Sequence, residues 1–404
     1  MWYSVFTIQT QSLQDGRKAD FPMKIALLGV GTVGSGVREQ LAGDSRFEIK
    51  RILVRREIPE LSALATFSFD DILRDDEIEA VVEVIGGEQP ALDYVLRSLR
   101  AGKHVVTANK LMLSENMEAL AEAARAGRAR LMIDASVGGG IPYLHNLARA
   151  GRRGGIQSVF GIVNGTTNLI LDTMQSEGAD FADVLAQAQR AGYAEADPTA
   201  DIDGLDARAK LCVAAAAGFG CAVRPAEVDT AGIRTLSLGD VRVFRQLGRV
   251  CRLIARMDRP ENGSAPAYVE PTLVGSMDIL AAIRRNDNLI GYVERNAGLQ
   301  YFFGQGAGKS PTAFNVIMGL EDLLEGRPGA LERLAESVSV DNGRLAHRYY
   351  LRTAARLEIE AQALADVGEA RAYLTAPLSV GQMHALARKM RESDPNLFFA
   401  GLRD

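Results

Sequence analysis

An α/β fold with a mostly parallel sheet is predicted for the first third of this chain by three observations. Short apolar runs of strand length alternate with amphipathic helical stretches from Met23 to about Leu144. The first run leads directly into Gly29-Val30-Gly31-Thr32-Val33-Gly34, a G-x-G-x-x-G turn that opens a helix. Several of the runs are continuously apolar, as strands covered on both faces should be.

In order, the strands are predicted at KIALLGV, EIKRILV, AVVEVI, KHVVTAN and ARLMIDA, with helices between them at VGSGVREQLAG and QPALDYVLRSLRAG. The second helix stops at Gly102, a residue suited to a left-handed helix end. After Ile141-Pro142 the pattern changes. A strand at SVFGIVNG is followed by helices at NLILDTMQSEG and FADVLAQAQRAG, a loop at YAEADPTADIDG and an alanine-rich helix at LDARAKLCVAAAAGFG. Further strands are predicted at PAYVEPTLV and GLQYFFGQG. This mixture predicts an α+β second unit, with residues 300–320 returning to the first. Past a helix-rich connection the tail reads as strand, helix, strand, helix, strand, too short for a full core of its own. The expected divisions are a disordered N-terminal extension (1–22), a nucleotide-binding unit (23–144), a second unit (145–320) and a C-terminal appendage (321–404).

At 404 residues the chain exceeds what one core serves, and 47% hydrophobic with 24% charged residues is ordinary globular composition. No run reaches the roughly 20 apolar residues of a membrane span, so no membrane partner is expected. A formal net charge of −5 argues against a nucleic-acid partner, whose phosphates call for a basic face. Cys212, Cys221 and Cys251 form no C-x-x-C pair and no even framework, which fits a reducing cytoplasm rather than a disulfide or zinc scaffold. Residues 1–22 carry no basic leader followed by an apolar block, and MKIALLGVG reads as a natural beginning, so Met23 is the expected start.

In the glycine turn, Gly29 allows the tight bend, Gly31 lets a pyrophosphate approach the backbone, and Gly34 lets helix and strand pack closely. With Thr32 and Val33 they form the predicted dinucleotide site, the diphosphate resting on unpaired N–H groups of the helix start. The second strand runs into Arg55 and Arg56, where NAD calls for an acidic side chain. NADP is therefore favoured, with NAD, or a merely solvated arginine pair, left open.

The densest polar segment runs from Gly192 to Lys210 and holds five carboxylates within twelve residues: Glu195, Asp197, Asp201, Asp203 and Asp206. Asp206 and Lys210 are four apart on a predicted helix, so one face carries both and the carboxylate can hold the ammonium. An acidic surface loop with an ordinary ion pair has the same local pattern.

The whole of GYAEADPTADIDGLDARAK, residues 192–210, is similar to the substrate motif of the homoserine dehydrogenase family. EVIGG (83–87), GKHVVTANK (102–110), DASVGGGIP (134–142), GIVNGTTNLIL (161–171) and GQGAGKSPTAFNV (304–316) echo that family in order. The resemblance covers residues 23 to about 320. It implies a doubly wound Rossmann-type domain, a catalytic and dimerisation domain over 145–320, and a homodimer. The implied reaction is the reversible, NAD(P)-dependent interconversion of L-homoserine and L-aspartate 4-semialdehyde in threonine and methionine biosynthesis.

Carried over residue by residue, the resemblance makes Lys210 the general acid/base for the substrate hydroxyl. Asp206 orients that lysine and binds substrate, Glu195 holds the substrate amino group, and Asp201 is a further acidic member. Lys110 stands where cofactor and substrate meet, binding the carboxylate or sharing the proton. The main-chain carbonyls of Asp134, Val137, Gly139 and Ile141 match those that hold a monovalent cation, usually sodium; the family more often has Glu at position 134, a change that a main-chain ligand tolerates. Gly306 and Gly308 match a late loop that closes over the cofactor. His104 and His145 read as structural. Residues 346–404 resemble the family's threonine-sensing ACT-type module only faintly, so a degenerate appendage without threonine control is expected.

Two rivals remain. A phosphorylating aldehyde dehydrogenase needs a reactive thiolate, whereas Cys212 and Cys221 fall in an apolar helical run. A dinucleotide-binding regulator has no use for Lys210, Asp206 and Glu195 together.

Overall fold

Apolar runs without alternation become strands buried on both faces, and in Met23–Leu28 the residues Ile25, Ala26, Leu27 and Leu28 are fully buried. In the computed structural model, which describes residues 22–403, this strand lies inside a six-stranded parallel sheet. The order is Ala65–Thr66, Phe47–Leu53, Met23–Leu28, Ala80–Glu83, His104–Thr107 and Leu131–Met132. This is the doubly wound order, in which the crossovers reverse between Met23–Leu28 and Ala80–Glu83 and leave a crevice at the strands' carboxyl ends. The extension expected at residues 1–22 lies, but for Pro22, outside the described residues.

Helix Thr32–Leu41 covers one face together with Lys309–Leu324, through Val37, Ala313, Val316 and Leu320. Ala91–Arg100 and Lys110–Gly127 cover the other through Val95, Leu99, Leu113 and Leu120. That second cluster runs on without a break into Val159, Val213 and Leu253, so both sheets share one core.

The second sheet has ten strands. Its main path is Gly298–Gln305, Asp287–Glu294, Ile156–Ile162, Arg249–Asp258, Ala267–Gly275, Phe398–Leu402, Tyr349–Thr353, Ala370–Thr375 and Ala361–Val367. Pairing is antiparallel except where Phe398–Leu402 and Asp229–Thr230 lie parallel to Ala267–Gly275. Helix Leu205–Phe219 is wedged between this sheet and the helices Lys110–Gly127 and Tyr143–Gly151. Residues 209–218 of that helix are all buried, which accounts for its apolar character on every side.

The tail departs from expectation. Leaving aside the two-residue strands Ala346–His347 and Leu378–Ser379, its order is strand, strand, strand, helix, strand, with Val380–Arg391 as the helix. The alanine-rich stretch Ala361–Val367 is a strand because Gly368, at φ +63°, turns the chain back to pair it with Ala370–Thr375. Phe398–Leu402 then joins the large sheet, while Tyr349, Leu351, Met383, Ala387, Leu397 and Phe399 form a small core that is almost entirely the tail's own. Cys221 also differs, lying in the short strand Cys221–Ala222 beyond the helix end at Gly220.

Candidate active site

The glycine turn opens into the crevice between the two central strands. Gly29 has φ +94°, and a Cβ at Gly34 would lie 2.1 Å from the Gly29 carbonyl oxygen, so both positions require glycine. Gly31 caps helix Thr32–Leu41 without a side-chain hydrogen bond and faces open space. The first-turn amides, with exposed Thr32 and partly buried Val33, are thus free for an anion. Arg55 and Arg56 follow the end of Phe47–Leu53, are exposed and pair with no carboxylate among the described residues.

The late loop approaches from the other side. Gly308 caps helix Lys309–Leu324, which is tied to the glycine-turn helix by Lys309–Glu39 at 2.7 Å and by Gln40 donating to the Ser310 carbonyl at 3.1 Å. A Cβ on Gly306 would fall 2.0 Å from Nδ2 of the buried Asn288.

Three segments bring the polar cluster together. Two residues beyond strand Ile156–Ile162 stands Asn164, whose Oδ1 accepts from the Thr167 amide at 2.8 Å and caps helix Gly165–Glu177. Its Nδ2 donates to Asp201 at 2.6 Å and to Asp206 at 2.8 Å. One helical turn beyond Asp206, Lys210 Nζ lies 2.7 Å from Asp206 Oδ2 and donates to the Val163 carbonyl at 2.7 Å. Lys110 begins its own helix, its Nζ 3.2 Å from Asp206 Oδ1. It is aimed there by the strand ends: fully buried Glu83 accepts from Thr107 Oγ1 at 2.6 Å, Thr107 Oγ1 accepts from the Asn109 amide at 3.0 Å, and Asn109 caps the helix through the Met112 amide.

Burial alone would raise the Asp206 carboxyl, but the charges of Lys210 and Lys110 and the bonds from Lys210 and Asn164 reverse this and hold it well below the usual range. The Asp206 charge in turn raises Lys110 against the opposing effect of burial. Asp201 is pushed up by burial, partly offset by Asn164. Glu195 is exposed at the mouth, its charge reaching Lys110. Asp197 and Asp203 are engaged elsewhere, the first with the Thr199 amide at 3.1 Å and the second bidentate with Arg234 at 2.8 Å.

The loop from Asp134 to Ile141 borders this cluster. The carbonyls of Gly139 and Ile141 converge on one point, now met by the Asn315 side-chain amide at 2.6 and 3.3 Å. Among the described residues no group of three or more His, Cys, Asp or Glu side chains could hold a metal. His104 Nδ1 accepts from the Arg130 amide at 3.0 Å and His145 pairs with Asp322 at 3.3 Å, both away from the cluster. The three thiols are buried, and burial pushes each up to about 12, which removes the thiolate chemistry of the rival dehydrogenase.

Asn164, Asn109 and Glu83 were not singled out by sequence reasoning. For the two asparagines the available signal was a strand ending in Asn directly before a helix, which marks a cap and leaves an amide free to donate. Nothing local marks Glu83, whose partner Thr107 is 24 residues away.

A family profile described as "Homoserine dehydrogenase" matches residues 142–323, and one described as "Homoserine dehydrogenase, NAD binding domain" matches 29–134. Homoserine dehydrogenase of Synechocystis is 39% identical over 310 residues, 73% of this chain and 72% of its own length. That of Corynebacterium glutamicum is 39% identical over 326 residues, 76% of this chain and 73% of its own. Among solved structures, a homoserine dehydrogenase from Thiobacillus denitrificans superposes with TM-score 0.84 at 32% identity, covering 95% of this chain and 98% of that one. The Staphylococcus aureus enzyme reaches 0.74 at 28% identity, covering 95% and 99%.

Proposed function

The chain belongs to the homoserine dehydrogenase family of NAD(P)-dependent oxidoreductases, and from that premise we propose how its residues divide the interconversion of L-homoserine and L-aspartate 4-semialdehyde. The observation that carries the proposal is one carboxylate, Asp206, shared by two lysines of different exposure.

Lys210 is the proton carrier. An ammonium has three donors, and two are committed to Asp206 and Val163, which leaves one for the substrate oxygen. Asp206 and Asn164 fix its direction. Lys110 stays an ammonium because Asp206 raises it, so it acts as a fixed positive charge for the substrate carboxylate rather than as a proton shuttle. Glu195 and Asp201 provide the negative charge that receives the substrate amino group.

The uncapped amides at Gly31 and Thr32 and the glycine crevice fit a dinucleotide. When bound, NAD(P) supplies the hydride donor or acceptor at nicotinamide C4. Gly29, Gly31, Thr32, Val33 and Gly34 would hold its diphosphate, Lys110 would stand beside it, Gly306 and Gly308 would cover it, and Arg55 and Arg56 would take the 2′-phosphate of NADP. The carbonyls of Asp134, Val137, Gly139 and Ile141 would hold a monovalent cation such as sodium that braces the loop, a reading supported by the convergence of the last two on the Asn315 amide.

Leu299 and Phe303 stand exposed on the outermost strand and support a homodimer. No helix among the described residues is long and apolar enough to cross a membrane. The unpaired thiols support a cytoplasmic setting in threonine and methionine biosynthesis. A tail fused into the sheet supports a remnant of an ACT-type module without threonine control.

The test follows NADPH absorbance with aspartate semialdehyde in the native protein and in Lys210→Ala. The variant is expected to keep cofactor affinity and to lose about 10³-fold in kcat. Turnover equal to the native protein's would remove Lys210 from the chemistry.

A further inference from the structure

Behind the loop that begins at Asp134 lies a cavity of about 280 Å³, away from the Lys210 cluster, bounded by Asp134, His145, Arg149, Arg152, Asp322 and Arg327. Asp322 is fully engaged, with His145 Nδ1 at 3.3 Å on one oxygen and Arg327 Nη1 at 3.0 Å on the other. Three charges in the lining are not. Asp134 Oδ1 is buried and accepts no hydrogen bond. Arg149 and Arg152, exposed in the last turn and at the end of helix Tyr143–Gly151, pair with no carboxylate among the described residues. A buried carboxylate oxygen without a donor is destabilising, and the two exposed guanidinium groups that border the same cavity offer the opposite charge.

We propose that this cavity is a second binding site, for a small free amino acid whose carboxylate meets Arg149 and Arg152 and whose ammonium meets Asp134. A simple anion satisfies the arginines but is repelled by Asp134 and leaves its oxygen without a donor. A simple cation faces the guanidinium groups. A zwitterion answers both, and the cavity is roomy enough for one of the smaller amino acids. The site sits against two parts of the crevice wall: Asp134 opens the loop that continues to Gly139 and Ile141, and Asp322 lies on the helix that Gly308 caps. An occupant therefore ties that loop to that helix.

The experiment uses L-alanine as probe, with acetate and ethylammonium as its two halves. Calorimetric titration is run on full-length Lys210→Ala, on the same chain with R149A and R152A added, and on R149A/R152A alone. Saturable binding of L-alanine is expected in the first, with each half binding at least about tenfold more weakly. Both chains with R149A and R152A are expected to lose the binding, and R149A/R152A alone to keep its dehydrogenase turnover. The proposal is overturned if L-alanine does not saturate the protein, if acetate alone binds as tightly, or if binding survives the loss of both arginines.

Discussion

The charges buried beneath the crevice and those on its rim are held in opposite ways. Asp206, Lys210 and Asn164 have side chains or residues 10% exposed or less, and each is fixed by named partners within 2.8 Å. Arg55, Arg56 and Glu195 are exposed, and the two arginines have no carboxylate partner among the described residues. Buried charges are preorganised and derive their strength from each other, whereas rim charges gain theirs only when a ligand arrives. The buried set should therefore govern rate and stability together, and the rim should govern only which ligand is accepted.

The sharpest way to break this contrast is Asp206→Asn. Two ammonium groups would lose their common counter-charge, with a fall in kcat of at least about 10²-fold and a loss of about 3 kcal/mol, the lower end for a broken buried pair because Lys110 is partly open to solvent. Stopped-flow kinetics and denaturant unfolding measure the two effects. A variant that lost rate while keeping its stability would show that the cluster is not a structural unit.

Asn164→Ala should act in the same two ways but less strongly. It removes a helix cap and two hydrogen bonds to carboxylates, about 1–2 kcal/mol of stability and about tenfold in kcat. How this residue escaped notice shows where the sequence stops being legible. Lys210, Asp206, Asp201 and Glu195 stood together in one segment, so spacing and family likeness identified them at once. Asn164 acts on them from 37 and 42 residues away, a relation that only the fold creates. The first sheet was readable because most of its strands are apolar runs that alternate with amphipathic helices. Arg249–Asp258 was not, because it carries Arg249, Arg252 and Arg256, and the fully buried Arg252 is admitted by the carbonyls of Cys251, Leu280, Ala281 and Ile283 and by the charge of Asp172. In the tail, alanine's helix propensity was overridden by strand pairing.

Lys110 stands between the two regions, paired with Asp206 yet 39% exposed. Its folded-state pKa is raised above the ordinary 10.5 by Asp206. Its contribution is thus complete below that value and disappears only as pH rises through the raised one. Lys110→Ala should lower kcat/KM for homoserine by about tenfold to a hundredfold, by the same factor at every pH between about 6 and 9. Lys110→Arg should restore most of it. A loss that changed with pH across this window would make Lys110 a proton carrier and Lys210 its assistant.

The rim arginines give the smallest and most selective effect. In Arg55→Ala/Arg56→Ala the KM for NADPH should rise by about tenfold or more, since each lost charge-assisted bond to a phosphate is worth about 1.5–3 kcal/mol. The KM for NADH, kcat and the melting temperature should stay within about twofold or a degree of the parent, because both guanidinium groups are exposed and pair with no carboxylate among the described residues. Equal changes with both cofactors would mean that the arginines hold the adenosine or the diphosphate instead. No change with either would leave them as surface charge and return the cofactor preference to NAD. Only a change confined to NADPH keeps the division between a buried set that sets the rate and a rim that selects the ligand.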